Sequence, residues 1–221
     1  MSLSPSFRKP LLIIGLILLA DQLLKFYIKT SMMLGQEHHI ADWFIIHFTE
    51  NNGMAFGFEF EGEFGKLSLT LFRIAALIAI GFYLFRSARK NSNPKLITAL
   101  SFVFAGAMGN IIDCVFYGKI FSSSQYQIAS LFPAEGGYAS WLHGKVVDMF
   151  YFPIIQTTLP GWIPFWGGEY FVFFRPVFNL ADASISIGVA FMLLFQKQIF
   201  HHEKGEEQKK SVTDAAAPEQ H

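Results

Sequence analysis

The chain has 221 residues, of which 52% are hydrophobic and only 15% charged, with 26 Phe among them. Soluble domains carry about 25% charged residues, so this composition excludes an ordinary soluble protein and points to a membrane. The 17 basic and 17 acidic residues cancel, which excludes a nucleic-acid binder built on a basic surface.

The lone cysteine, Cys114, excludes a disulfide within the chain, and no His or Cys spacing suits a metal site. His38–His39 and His201–His202 read as loop and tail residues, so neither metal nor cofactor is expected. The first apolar stretch, residues 10–29, opens like a signal peptide. Asp21, Gln22 and Lys25 follow where a small-residue cleavage site would be needed, so it predicts a retained membrane helix. Residues 67–85, 96–117 and 177–200 complete four spans, each near the roughly 20 residues that a bilayer core requires.

Lys and Arg placement gives the orientation. Arg8 and Lys9 precede the first span, Arg86, Arg89, Lys90 and Lys95 fill the link between the second and third, and Lys197, Lys204, Lys209 and Lys210 follow the fourth. Both termini are therefore expected on the cytoplasmic side, with outer loops over 30–66 and 118–176. In the first outer loop, IADWFIIHF suggests strand and Asn51–Asn52–Gly53 suggests a turn, which predicts a small sheet at the membrane surface. In the second, a Ser- and Gly-containing part reads as a mobile insertion. The following passage, with Trp162 and Trp166, reads as an interfacial aromatic segment. Residues 203–221 are polar and predict a disordered tail. The membrane domain is then 1–202.

Asp182 is the costliest residue of this plan. It lies in the first turns of the fourth span, where a carboxylate in hydrocarbon costs a few kcal/mol, and Asn179 three positions earlier shares its helical face. Chain direction puts Asp21 in the outer half of the first span, one turn before Lys25, a buried ion-pair candidate. Asn110 and Asp113 fall in the last turns of the third span, and Asp148 in the loop returning to the membrane. A proton conduit would spread acids through the membrane depth. These gather at one level near the outer surface, which favours a reaction site over a transporter or a purely lipid-binding protein. Two carboxylates held together share one proton. The ionised member can activate a water while the protonated one donates to the carbonyl or leaving amine. Cys114 has no histidine at its depth, and Ser184 or Ser186 would need a neutral Lys25 beside Asp21, so both are weaker nucleophiles.

Five motifs then carry a resemblance: ADQLLK at 20–25, TENNGMAFGF at 49–58, GAMGNIIDCVFYGK at 106–119, KVVDMF at 145–150 and FNLADASISIGV at 178–189. In this order and topology they resemble the lipoprotein signal peptidases (signal peptidase II), the bacterial aspartyl membrane proteases. The resemblance implies a helical membrane fold of four spans with a small outer sheet. It implies a catalytic dyad at Asp148 and Asp182, with Asn52, Gly53, Asn110, Asp113 and Asn179 shaping the site and Asp21 and Lys25 supporting it. It also implies a diacylglyceryl-modified prolipoprotein as substrate, cleaved before the lipidated cysteine, and a monomeric multi-pass protein of the bacterial inner membrane. Two features depart from the family. Cys114 stands where Arg usually follows the third-span acid, leaving Arg73, Lys119 or Arg175 to substitute. An insertion, 120–144, separates Asp113 from Asp148 and reads as a lid, a partner surface or an inert loop.

Overall fold

The computed structural model describes residues 5–52 and 62–199. Four apolar helices carry a small sheet at one end. Helix α1 spans Pro5–Ser31, α2 Gly62–Arg89 and α3 Pro94–Ile112, and α5 spans Leu180–Leu194. Three of the four are long and apolar enough to cross a membrane. The fourth is shorter than its expected span. Residues Val177–Phe178 form a strand, Asn179 caps the helix, and a turn at Phe195 separates it from helical residues 196–199.

Helix α3 is the centre of the bundle. Half of its spanning stretch is buried, against 17% for α1 and 11% for α2, whose outward faces show Leu12, Leu16, Leu23, Phe72 and Phe82. Apolar surface on this scale needs lipid around it. On its inner side α3 meets α5 through small residues, as helices in lipid commonly do. A Cβ at Gly106 would run into the Ala181 carbonyl, and one at Gly109 would sit 2.7 Å from the Asp21 carboxylate. Gly106→Ala is therefore expected to lower the melting temperature of the detergent-solubilised protein by an overpacking cost of about 1–3 kcal/mol. Gly15→Ala has open space around it and is expected to leave the melting temperature unchanged or raised.

The expected strands form. Strands β1 (Glu37–Ala41), β2 (Phe44–Asn51), β3 (Val146–Tyr151) and β6 (Val177–Phe178) make one antiparallel sheet in the order β1-β2-β3-β6. Its inner face buries Phe48, Val147 and Met149 with Ile28 of α1 and Met32 just beyond it. The aromatic passage forms a separate hairpin of β4 (Ile155–Thr158) and β5 (Tyr170–Phe173).

Helix α3 does not stop at Ile112. A π-helical turn over Asp113–Tyr117 and a last turn, α4 (Gly118–Ile120), extend it. Its terminal carbonyls would lack partners, and the insertion supplies them. The amides of Gly144, Leu142 and Ala139 donate to the carbonyls of Cys114, Val115 and Gly118 at 2.8, 3.2 and 2.8 Å. Phe121 and Ala129 of the same segment are buried in the core under the sheet. The expected loose insertion is thus bound to the fold along its length.

Candidate active site

The site is assembled where α1, α3, α5 and the sheet meet. Asn179 is the N-cap of α5: its side-chain oxygen accepts from the Asp182 amide at 2.9 Å, and its own amide donates to Asp182 Oδ2 at 3.3 Å. This reciprocal cap fixes both side chains at the first turn of the helix. An amide nitrogen carries two protons, and Asn179 uses both. One goes to Asp148 Oδ1 at 2.7 Å and the other to Asn110 Oδ1 at 3.0 Å. Asn110 in turn donates to Asp182 Oδ1 at 2.7 Å. Asp148 and Asp182, 34 residues apart in sequence, are thus held by the same two asparagines.

Their surroundings differ. Asp148 is 3% exposed, within β3, with Thr49 of β2 as its cross-strand partner. Asp182 is half-buried. It sits at the positive end of the helix, which favours an anion. Burial, and next the negative charge of Asp182, push the Asp148 carboxyl up to about 7, against hydrogen bonds from Asn179 and Asn51 that favour its charged form. Of the two carboxyls, Asp148 is thus the one whose surroundings favour the protonated form.

Beneath this pair lies an ionic cluster. Lys25 is fully buried and donates to Asp21 at 3.0 Å, Asp113 at 2.9 Å and Asn110 at 2.9 Å, which uses all three protons of its ammonium. Asp21 also accepts from the Ala181 amide at 2.9 Å, and Asp113 from the Val147 amide at 3.2 Å. The cluster therefore ties α1 to the start of α5 and α3 to the strand that carries Asp148. Gln22 closes it, donating to Asp21 and Asp113 at 3.1 Å each and accepting from the Tyr117 hydroxyl at 3.2 Å.

Of the nine residues expected at the site, Asp21, Lys25, Asn110, Asp113, Asp148, Asn179 and Asp182 are joined in one hydrogen-bonded network. Asn52 stands apart from that network: it is exposed, and its side-chain oxygen faces Lys66 at 3.4 Å. Gly53 lies outside the described residues. It is the neighbouring Asn51 that bonds Asp148. Strand alternation explains the difference. Thr49 pairs with Asp148, so Asn51, two positions on, shares that face, whereas Asn52 does not. Reading the strand through Asn51 rather than ending it at a turn would have found it. Of the three cations considered as substitutes for the missing arginine, Arg73 is the one that reaches the position, with Nη1 3.8 Å from Cys114 Sγ. Ser184 is engaged elsewhere, donating to the Phe102 carbonyl at 2.8 Å. Among the described residues no group of His, Cys, Asp and Glu is arranged to hold a metal ion.

A second buried cation escaped the sequence reading. Lys29 lies one turn above Lys25 and bonds Glu50 of β2 at 2.5 Å and Ser124 of the insertion at 2.9 Å. It also lies 4.7 Å from the centre of the Tyr138 ring. Lys145 reaches the other oxygen of Glu50 at 3.4 Å. The insertion is thereby pinned to β2 at Glu50 and to Lys145, just before the strand that carries Asp148.

Comparison with known proteins shows the family. The family model described as signal peptidase (SPase) II matches residues 13–197. A lipoprotein signal peptidase of Porphyromonas gingivalis is 54% identical over 183 residues, 82% of this chain and 80% of its own length. One from Amoebophilus asiaticus is 37% identical over 208 residues, covering 91% and 84%. A bacterial membrane enzyme solved by the in meso method at 2.3 Å superposes with a TM-score of 0.57 at 25% identity, covering 86% of this chain and 88% of that one. A second, solved at 1.9 Å, gives 0.54 at 27% identity, covering 84% and 90%. With a membrane-helical fold, a capping sheet and the family's motifs meeting in one network, the chain belongs to the signal peptidase II family of aspartic membrane proteases.

Proposed function

We propose that Asp148 and Asp182 form the catalytic pair of an endopeptidase that removes the signal peptide from diacylglyceryl-modified prolipoproteins, cutting before the lipidated cysteine. The observation that carries this reading is the sharing of Asn179 and Asn110 by the two carboxylates, one buried and one open, at the end of the bundle nearest the sheet. In the resting pair Asp148 holds the proton and Asp182 is ionised. Asp182 removes a proton from water as its oxygen attacks the scissile carbonyl carbon, and Asp148 protonates the carbonyl oxygen. When the tetrahedral diol collapses and the C–N bond breaks, Asp182 gives its proton to the amine. One diol proton returns to Asp148, restoring the resting pair. No step calls on a metal or cofactor.

In this reading α5 with residues 196–199 makes a fourth crossing, both termini lie in the cytoplasm of a bacterial inner membrane, and the sheet and dyad face outward. The enzyme works as a monomer. The substrate's lipid chains stay among the helices while its peptide crosses the sheet end of the site, with Asn52 and Gly53 offering polar groups to it.

Loss of the shared proton should end activity. The rate is expected to fall about tenfold per pH unit once pH rises through the Asp148 value of about 7. The Asn51 bond favours the charged carboxylate, so Asn51→Ala raises that value. The alkaline limb of a pH–rate profile should move upward by on the order of one unit. The reaction itself is tested by incubating the purified protein with a diacylglyceryl-modified precursor and with the unmodified form. Cleavage of the modified form alone supports the assignment, and cleavage of neither rejects it.

A further inference from the structure

The hairpin of β4 and β5 plays no part in the dyad network, and its cross-strand register gives it two unlike faces. Ile155 pairs with Phe173 and Thr157 with Phe171, which places these four on one face. Gln156 pairs with Val172 and Thr158 with Tyr170 on the other, and there the Tyr170 hydroxyl donates to Gln156 at 2.6 Å. One face is apolar and the other largely polar. Neither is covered, since all four residues of β4 are exposed and β5 is exposed except at Val172.

The tip is apolar as well. Its backbone is closed by paired bonds between Leu159 and Glu169 or Gly168 at 2.9 Å, yet Trp162, Phe165 and Trp166 are 81%, 95% and 60% exposed. Across residues 154–174 the sole charged residue is Glu169. A lone two-stranded hairpin is marginal in water, and water is a poor solvent for such a tip. Its roots run into the membrane part of the molecule. Phe174 and Phe152 both pack on Phe178 at 6.1 and 5.7 Å between ring centres, two residues before α5 enters the bundle, and Arg175 follows at the exit.

We infer that this hairpin is an amphipathic arm lying in the polar–apolar boundary of the bilayer beside the dyad, apolar face and tip toward the lipid, polar face toward water. Its roots pack on Phe178 just before α5, a helix of the apolar bundle, which selects lipid as its occupant. Tryptophan and a basic residue at its root suit the headgroup level. The arm leaves β3 just after Asp148, so it ties that carboxylate to a fixed depth in the membrane.

The chain has four Trp, so Trp43→Phe with Trp141→Phe leaves Trp162 and Trp166 as reporters. The full-length protein, one copy per lipid nanodisc, is measured in phosphatidylcholine brominated near the headgroup end of the acyl chain, in unbrominated lipid, and with aqueous iodide. The expected result is blue-shifted emission, strong loss of intensity in brominated lipid and little quenching by iodide. Should the two substitutions disturb folding, the difference spectrum between the unaltered protein and Trp162→Phe/Trp166→Phe reads the same quantity. Red-shifted emission quenched by iodide and insensitive to bromine would overturn the inference. So would a blue shift that appears only when two copies share a disc, which would make a second copy the occupant.

Discussion

Asp148→Asn and Asp182→Asn are each expected to lower cleavage of a lipidated precursor by about 10⁴-fold or more, the upper end of what a positioned acid or base contributes. Neither exchange should unfold the protein. An asparagine at 148 keeps an oxygen for the Asn179 amide, and one at 182 keeps an oxygen for Asn110 or for the capping amide. Melting temperatures close to the parent's would separate loss of chemistry from loss of fold. The double variant is expected to be no slower than either single one, because the two carboxylates act as a unit. Near-parental turnover by either folded single variant would refute the proposed mechanism, whatever the family to which the chain belongs.

The same substitutions differ in a second readout. Burial, and next the neighbouring charge of Asp182, raise the Asp148 value. Removing that charge in Asp182→Asn should bring the Asp148 value down from about 7. Vibrational spectra of the protonated carboxyl would then disappear at lower pH than in the parent. Unchanged titration would mean that the two groups are not electrostatically coupled.

Why the site was so legible in the sequence has a physical reason. A carboxylate inside hydrocarbon is costly enough that Asp21, Asp113 and Asp182 had to be brought together with Lys25 or with amides, and helical spacing alone puts Asp21 over Lys25 and Asn179 beside Asp182. What escaped was set by geometry between elements. Asn51 rather than Asn52 faces Asp148 because of the β2–β3 register, and turn chemistry says nothing about register. Lys29 escaped because its partners Glu50 and Ser124 come from a strand and an insertion far along the chain. The insertion itself lacks periodicity, so nothing in its composition reveals that its amides cap α3. The hairpin is the mirror case. Its aromatics suggested an interfacial segment, but the pairing that puts Phe171 and Phe173 on one face and Tyr170 on the other is visible only once the strands are aligned.

Lys25→Met is expected to produce the largest loss of stability of any single change outside the dyad. The methionine fills nearly the same volume but leaves Asp21 and Asp113, both fully buried, facing each other without a cation. Breaking a buried ion pair from one side costs about 3–5 kcal/mol, and here one lysine serves two acids. Their remaining bonds, from Gln22, the Ala181 amide and the Val147 amide, orient them without balancing their charge. Asp113→Asn in the same protein restores the original balance of one uncompensated negative charge in the cluster and keeps an oxygen for Val147. The double variant should therefore recover part of the loss, giving a coupling energy of opposite sign to the single effects. Thermal unfolding in detergent would measure all four members of the cycle. The cluster is primarily electrostatic only if Lys25→Met/Asp113→Asn melts above Lys25→Met. A double variant that melts lower would mean that shape and hydrogen bonding, rather than charge, hold α1, α3 and α5 around the dyad.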